Sequence, residues 1–380
     1  MRGTVAAASG SNGAQDKQYV LINLLKAVAA QLIVLHHLAF YGPMADHARV
    51  LAPALFDWLA DDARIAVQVF LVIGGFLAAK SLAPDGLVRP GNPLSAMWRR
   101  YTKLAPPFVI ATLLATGASF IASAWMTHDS ISNTPNISQL AAHMVLMHSV
   151  LGYESLSAGA WYVAIDFQLY ASAVILLWVC GRWPTKMDRR WVISVAITVA
   201  VASSLFYFNR DTDWDVWAPY FFGSYGLGML AWWTSSPTRK LRAVIILFGM
   251  LAVPSLIALM FDFRSRIAAA LSVACMLILL GRVRTWSGAW CSVVDWFGRN
   301  SYSTFLVHFP VCLVVNAAFT KFIPTQAEWQ LLGVTVAFAA SLVSGAMFFR
   351  WVETPLGRLT GGSTNPQIVR TIEVLTTKNV

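Results

Sequence analysis

The sequence predicts an all-α fold: a polytopic transmembrane helix bundle of about ten spans with both termini in the cytoplasm. Three observations predict it. First, of the 380 residues 57% are hydrophobic and only 12% charged, and the mean hydropathy is +0.60. A soluble domain carries about a quarter charged residues, because its surface faces water; the lipid-facing surface of a bundle needs no such charge. Second, ten apolar stretches lie near 20–41, 63–82, 104–125, 159–180, 190–208, 216–234, 241–261, 264–281, 301–319 and 330–350. Each is long enough, or nearly so, to cross about 30 Å of hydrocarbon. Third, the basic residues between them are asymmetric. With the N-terminus inside, the cytoplasmic segments and helix ends hold 21 Lys and Arg, and the outside loops hold five: Arg49, Arg210, Arg264, Arg266 and Lys321. Such a bias sets orientation.

The elements follow in order. Residues 1–19 are polar and small, with no apolar h-region before a cleavage site; they read as a flexible cytoplasmic arm, and the first helix as retained. Between the first and second helices lie Asp46, Asp57, Asp61 and Asp62, on the outside. Arg99, Arg100 and Lys103 open the third helix from the cytoplasm. The segment 138–152 is apolar but too short to span, and is expected in the outer interface or dipping back into the bundle. The fourth helix contains Trp161, Asp166 and Tyr170; the ninth contains Tyr302 and His308. Acidic residues Asp211, Asp213 and Asp215 again fall outside. The tenth helix closes the membrane domain, 20–357, with Glu353 at its cytoplasmic end, and 358–380 form a cytoplasmic tail. No internal repeat is visible and no loop exceeds about 35 residues, so any chemistry belongs inside the bundle.

Two broader classes are excluded. The net charge of +10 is spread in short clusters between apolar runs, the pattern of topology signals and not of a nucleic-acid stripe. Cys180, Cys275, Cys291 and Cys312 have neither disulfide-framework nor metal-ligand spacing. No metal is expected.

Ionisable residues inside a span cost about 2.5–3.5 kcal/mol at mid-depth, so each requires a reason. Lys26 and His37 are eleven positions apart, about 20° past three full turns, and share one helix face roughly 16 Å apart along the axis. A snorkelling Lys and a hydrogen-bonded His would account for them equally well. His36 points about 100° away, which favours His37 as the inward ring. Asp166 lies at a depth similar to His37, so the two are a candidate base dyad; the alternative is a carboxylate satisfied by Trp or Tyr donors. Arg99, Arg100 and Lys103 read either as positive-inside signals or as a mouth that grips phosphates. Glu353 is expected to pair with one of these arginines. His308 fits bundle glue and substrate channel alike.

Taken together, these segments resemble the integral-membrane acyltransferase 3 family. Lys26 through His37 fits its first-helix pattern of a basic residue, ten residues and a His. Val72-Ile73-Gly74-Gly75-Phe76 looks like its Ser-Gly-Phe segment, with Gly74 for the Ser. Arg99, Arg100, Lys103 and Pro106 match its Arg-Arg-x-x-Arg-x-x-Pro run, with Lys for Arg. Trp161, Asp166 and Tyr170 are similar to its Trp-Glu-Tyr helix, with Asp for Glu. Gly298 through His308 resembles its Gly-Arg-x-Ser-Tyr run, with Phe305 for a Tyr, and Glu353 and Pro355 match its closing motif. The resemblance covers about 20–357 and implies a bacterial cytoplasmic-membrane enzyme with no permanently bound cofactor. It would take acyl-CoA, most often acetyl-CoA, from the cytoplasm and acylate a sugar or glycan hydroxyl at the other face. Its implied site has His37 as general base oriented by Asp166, Lys26, Arg99, Arg100 and Lys103 for acyl-CoA, and Trp161, Tyr170, Tyr302, His308 and Glu353 in support. An acyl-His intermediate is the alternative to direct transfer. The rival reading is a transporter or flippase, against which stands the lack of a repeated half or an ion-coupling cluster.

Overall fold

Each apolar stretch folds as a helix in the computed structural model, which describes residues 9–280, 288 and 290–359, with side chains from residue 20. In chain order the helices are α1 (Ser9–Phe40), α2 (Pro43–Ala48), α3 (Pro53–Asp61), α4 (Ala66–Leu82), α5 (Pro93–Ser123), α6 (Ile137–Met144) and α7 (Ala160–Arg182). There follow α8 (Arg189–Phe206), α9 (Ala218–Thr234), α10 (Leu241–Phe261), α11 (Ser265–Leu280), α12 (Trp290–Phe322), α13 (Ala327–Phe348) and α14 (Thr354–Leu359). Among the described residues, eight helical stretches are long and apolar enough to cross a membrane. The other two that coincide with apolar stretches, α9 and α11, are shorter at 17 and 16 residues.

Helix starts are where hydropathy and structure part, because hydropathy marks the apolar middle of a helix and not its ends. The α5 helix begins at Pro93 and not near 104. The Asn92 side chain accepts the Leu94 N–H at 2.9 Å, and Pro93 supplies a helical φ at the first position. Arg99, Arg100 and Lys103 therefore sit on a formed helix and not in its approach. Likewise α12 starts at Trp290, inside the expected loop 282–300, of which 282–287 and 289 lie outside the described residues. The α1 helix begins at Ser9, within the segment read as an arm. Residues 1–8 and 360–380 lie outside the described residues.

Packing follows the rules of lipid more than those of water. The α4 and α9 helices cross so closely that a Cβ on Gly75 would lie 1.8 Å from the Tyr225 carbonyl oxygen, and one on Gly228 1.9 Å from that of Val72. Small residues permit this approach, which supplies dispersion contacts where lipid offers no hydrophobic drive. Helix α12 packs against α1, α5 and α13. Ile246, Val253, Leu256 and Met260 of α10 are exposed, as a lipid-facing helix requires.

The short segment after α5 folds as α6 and a run of turns packed on α5. The Tyr101 hydroxyl donates to the Met144 carbonyl at 2.9 Å. His143 and His148 are buried and stacked, ring centroids 4.0 Å apart, beside Phe108. Burial, with His143 adjacent, pushes the His148 imidazole down to about 3, so this connection is held together by neutral rings.

Candidate active site

Two cavities open along the face of α1 that carries Lys26 and His37. The first, about 290 Å³, is lined by Lys26, Arg100, Lys103, Tyr162, Asp166 and Glu353 among others. The second, about 970 Å³, is lined by His36, His37, Asp61, Arg64, Glu154 and Trp161 among others. The helical spacing thus brings its two residues to separate chambers. Both histidines of the adjacent pair line the second chamber, and both are buried. His36 donates from Nδ1 to the Leu59 carbonyl at 2.9 Å, which ties its ring to α3.

The hydrogen bonds around His37 specify its tautomer. His308 Nδ1 lies 2.7 Å from the Phe305 carbonyl, which only accepts, so Nδ1 carries the proton and Nε2 a lone pair. His37 Nδ1 lies 2.6 Å from that Nε2 and must donate to it. This leaves His37 Nε2 unprotonated, on a ring that lines the larger cavity. The Phe305 carbonyl thus fixes the tautomer of His37 through the intervening His308 ring. His308 is therefore the group that orients His37.

The expected His37–Asp166 dyad is not what the structure forms. Asp166 lines the other cavity and is ion-paired with Arg100, whose guanidinium also lies over the Tyr170 ring at 5.4 Å. Equal depth along two helices does not ensure that their side chains face one another. Gly74 belongs to this second pair: a Cβ there would lie 3.5 Å from Asp166 Oδ1. The expected pairing of Glu353 with an arginine does not form among the described residues. Glu353 accepts from the Ser303 hydroxyl and shares its surroundings with Lys103 and Lys26. Tyr302 donates to the Leu104 carbonyl at 3.1 Å, joining α12 to α5. Trp161 packs against Phe221 at 5.7 Å between ring centroids. Arg99 is apart, exposed in a shallow depression beside Trp98 and Tyr101.

Sequence reasoning missed Ser303, Tyr162 and the Asp61–Arg64 corner of the larger cavity. The first two lie inside motifs already singled out; Asp61 stands out in the sequence only as outside loop charge, and Arg64 falls unremarked at the start of the second apolar stretch.

The family model of the Acyl_transf_3 acyltransferase domain matches residues 19–351. The Regulator of hypoxia-inducible factor 1 of Caenorhabditis elegans is 26% identical over 170 residues, which cover 43% of this chain and 31% of that protein. The match thus spans less than a third of that relative's length. No solved structure matches. With nearly its whole length matched and its helices long and apolar enough to span a membrane, the chain belongs to the acyltransferase 3 family.

Proposed function

We propose that the chain transfers an acyl group, in the simplest case acetyl, from cytoplasmic acyl-CoA to a sugar or glycan hydroxyl at the opposite face of a bacterial cytoplasmic membrane. The donor's phosphates meet Lys26 and Lys103 at the mouth of the smaller cavity, with Arg100 held in place by Asp166. The acceptor occupies the larger cavity, where Asp61, Arg64 and Glu154 offer hydrogen bonds and Trp161 an aromatic wall. His37 Nε2 takes the proton of the acceptor hydroxyl as its oxygen attacks the thioester carbonyl carbon. The tetrahedral intermediate then expels the CoA thiolate, which recovers the proton from His37. Asp166 drops out as orienting group for the base, and His308 takes that role.

The observation that carries this reading is the chain from the Phe305 carbonyl through His308 to His37, which presents an unprotonated nitrogen to a cavity. The test uses purified full-length protein in nanodiscs, acetyl-CoA and candidate glycans, following free thiol and the mass of the acceptor. His37→Ala is expected to lower transfer by about 10²–10⁴-fold, the usual worth of a positioned base. Movement of glycan across the membrane with no consumption of acyl-CoA would replace the reading with a transporter.

A further inference from the structure

The two cavities meet at one side chain. On each surrounding helix the lining residues change from one cavity to the other: Lys26 to His37 on α1, Phe70 to Val67 on α4, Tyr162 to Trp161 on α7 and Tyr302 to Phe309 on α12. Among the described residues, Phe305 alone is common to both linings.

Its ring is held from several sides. It is 5% exposed and packs edge-on to Tyr162, with centroids 5.4 Å apart and planes at 71°. Phe70 lies at 6.3 Å and His308 at 5.9 Å. Gly159 makes the seat: a Cβ there would lie 2.8 Å from Phe305 Cζ. The absence of a side chain at 159 is what lets the ring lie there.

We propose that Phe305 is the gate between donor and acceptor chambers, and that it limits transfer to short acyl groups. The proposal rests on the acyl-transfer reading above. A thioester whose phosphates are held near Lys26 must reach His37 past this ring, because α1 separates the two residues by roughly 16 Å. A small rotation of the ring admits an acetyl-sized group. A longer chain must displace the ring from Gly159 and Tyr162 altogether. The same closure keeps water of the larger cavity from the thioester until an acceptor is bound.

The test compares acetyl-, butyryl- and hexanoyl-CoA on the full chain in nanodiscs, with and without glycan acceptor. Phe305→Ala is expected to raise the butyryl-to-acetyl ratio of kcat/KM by about 10-fold or more, within the range a few methylenes are worth in an apolar pocket. It should also raise acceptor-independent hydrolysis. There the water oxygen bonds to the acyl carbon, the C–S bond breaks and the thiol leaves with a proton. Phe305→Leu, which keeps most of the volume, should move both readouts the same way by less, and serves if the Ala variant fails to fold. Gly159→Ala should lower transfer of every donor by crowding the ring. Wild-type chain-length preference and coupling in an active Phe305→Leu or Phe305→Ala protein would overturn the gate and leave acyl transfer standing. A wild-type protein that consumes no acyl-CoA would overturn both.

Discussion

Arg100 and Asp166 illustrate how an ion pair can hold two helices of a site in place. The carboxylate side chain is 8% exposed and the guanidinium 26%, and the guanidinium lies against Tyr170. Removing two such charges from water is costly, and their contact and hydrogen bond offset that cost only while both are present. Asp166→Ala is therefore expected to destabilise the protein by about 3 kcal/mol, because it strands a desolvated guanidinium. Arg100→Met combined with Asp166→Ala should recover much of that loss. Thermal unfolding in detergent of the two single variants and the double gives the coupling. Additive losses would mean that the pair carries no mutual energy. Arg100→Met alone should also raise the KM for acyl-CoA, whereas His37→Ala should act on kcat. That split separates donor binding from proton transfer at the scale of single side chains.

Between elements, α4 and α9 approach closely, and the approach depends on two glycines. Gly75→Ala or Gly228→Ala would press a methyl into the facing backbone, where nothing flexible can yield. Each is expected to cost about 3 kcal/mol or more, at the high end of overpacking, because the helices themselves must separate. Gly117→Ala is the control: a Cβ there meets nothing within 4 Å, so it should be neutral or slightly stabilising through helix propensity. Equal losses at all three positions, measured by unfolding in one detergent, would dispose of the close-packing argument. The elements themselves were legible in the sequence, since a span must be apolar over a fixed length whatever its neighbours are. Their charged ends were not, so α5 and α12 start about three turns earlier than hydropathy suggests. The site was legible by residue type and not by partnership. Lys26, His37, Asp166 and His308 all stand out as ionisable groups in apolar runs. Which of them meet depends on helix rotation, and the His37–His308 bond joins positions 271 apart. Phe305 stands out only as a Phe in place of a Tyr in the resemblance, because an aromatic in a span is ordinary until a glycine is found beneath it.

For the molecule as a whole, the loops sort into two faces that the contacts fix independently of charge. On one face Trp233 donates to the Ala83 carbonyl, Arg239 to that of Asp85, and Arg190 lies beside Gly86. The turns after α4, α7 and α9 thus gather together, and they are rich in Lys and Arg. On the other face a third cavity, about 840 Å³, is lined by Asp61, Asp62, Ser149, Thr212, Asp215 and Arg264, which joins the connections after α3, α6, α8 and α10. Arg264 is tied there to the Asn209 carbonyl at 2.7 Å, so its charge serves local structure and not topology. In the proposed topology the first, positively charged face is the cytoplasmic one, the side from which acyl-CoA would enter. With the native cysteines replaced, Asp213→Cys should react in intact cells with a membrane-impermeant maleimide. Thr238→Cys should react only after permeabilisation; both positions are exposed. The reverse pattern would put Lys26 on the side without acyl-CoA and His37 on the side with it. The two chambers would then face the wrong substrates, and the acyl-transfer route through the bundle would have to be given up.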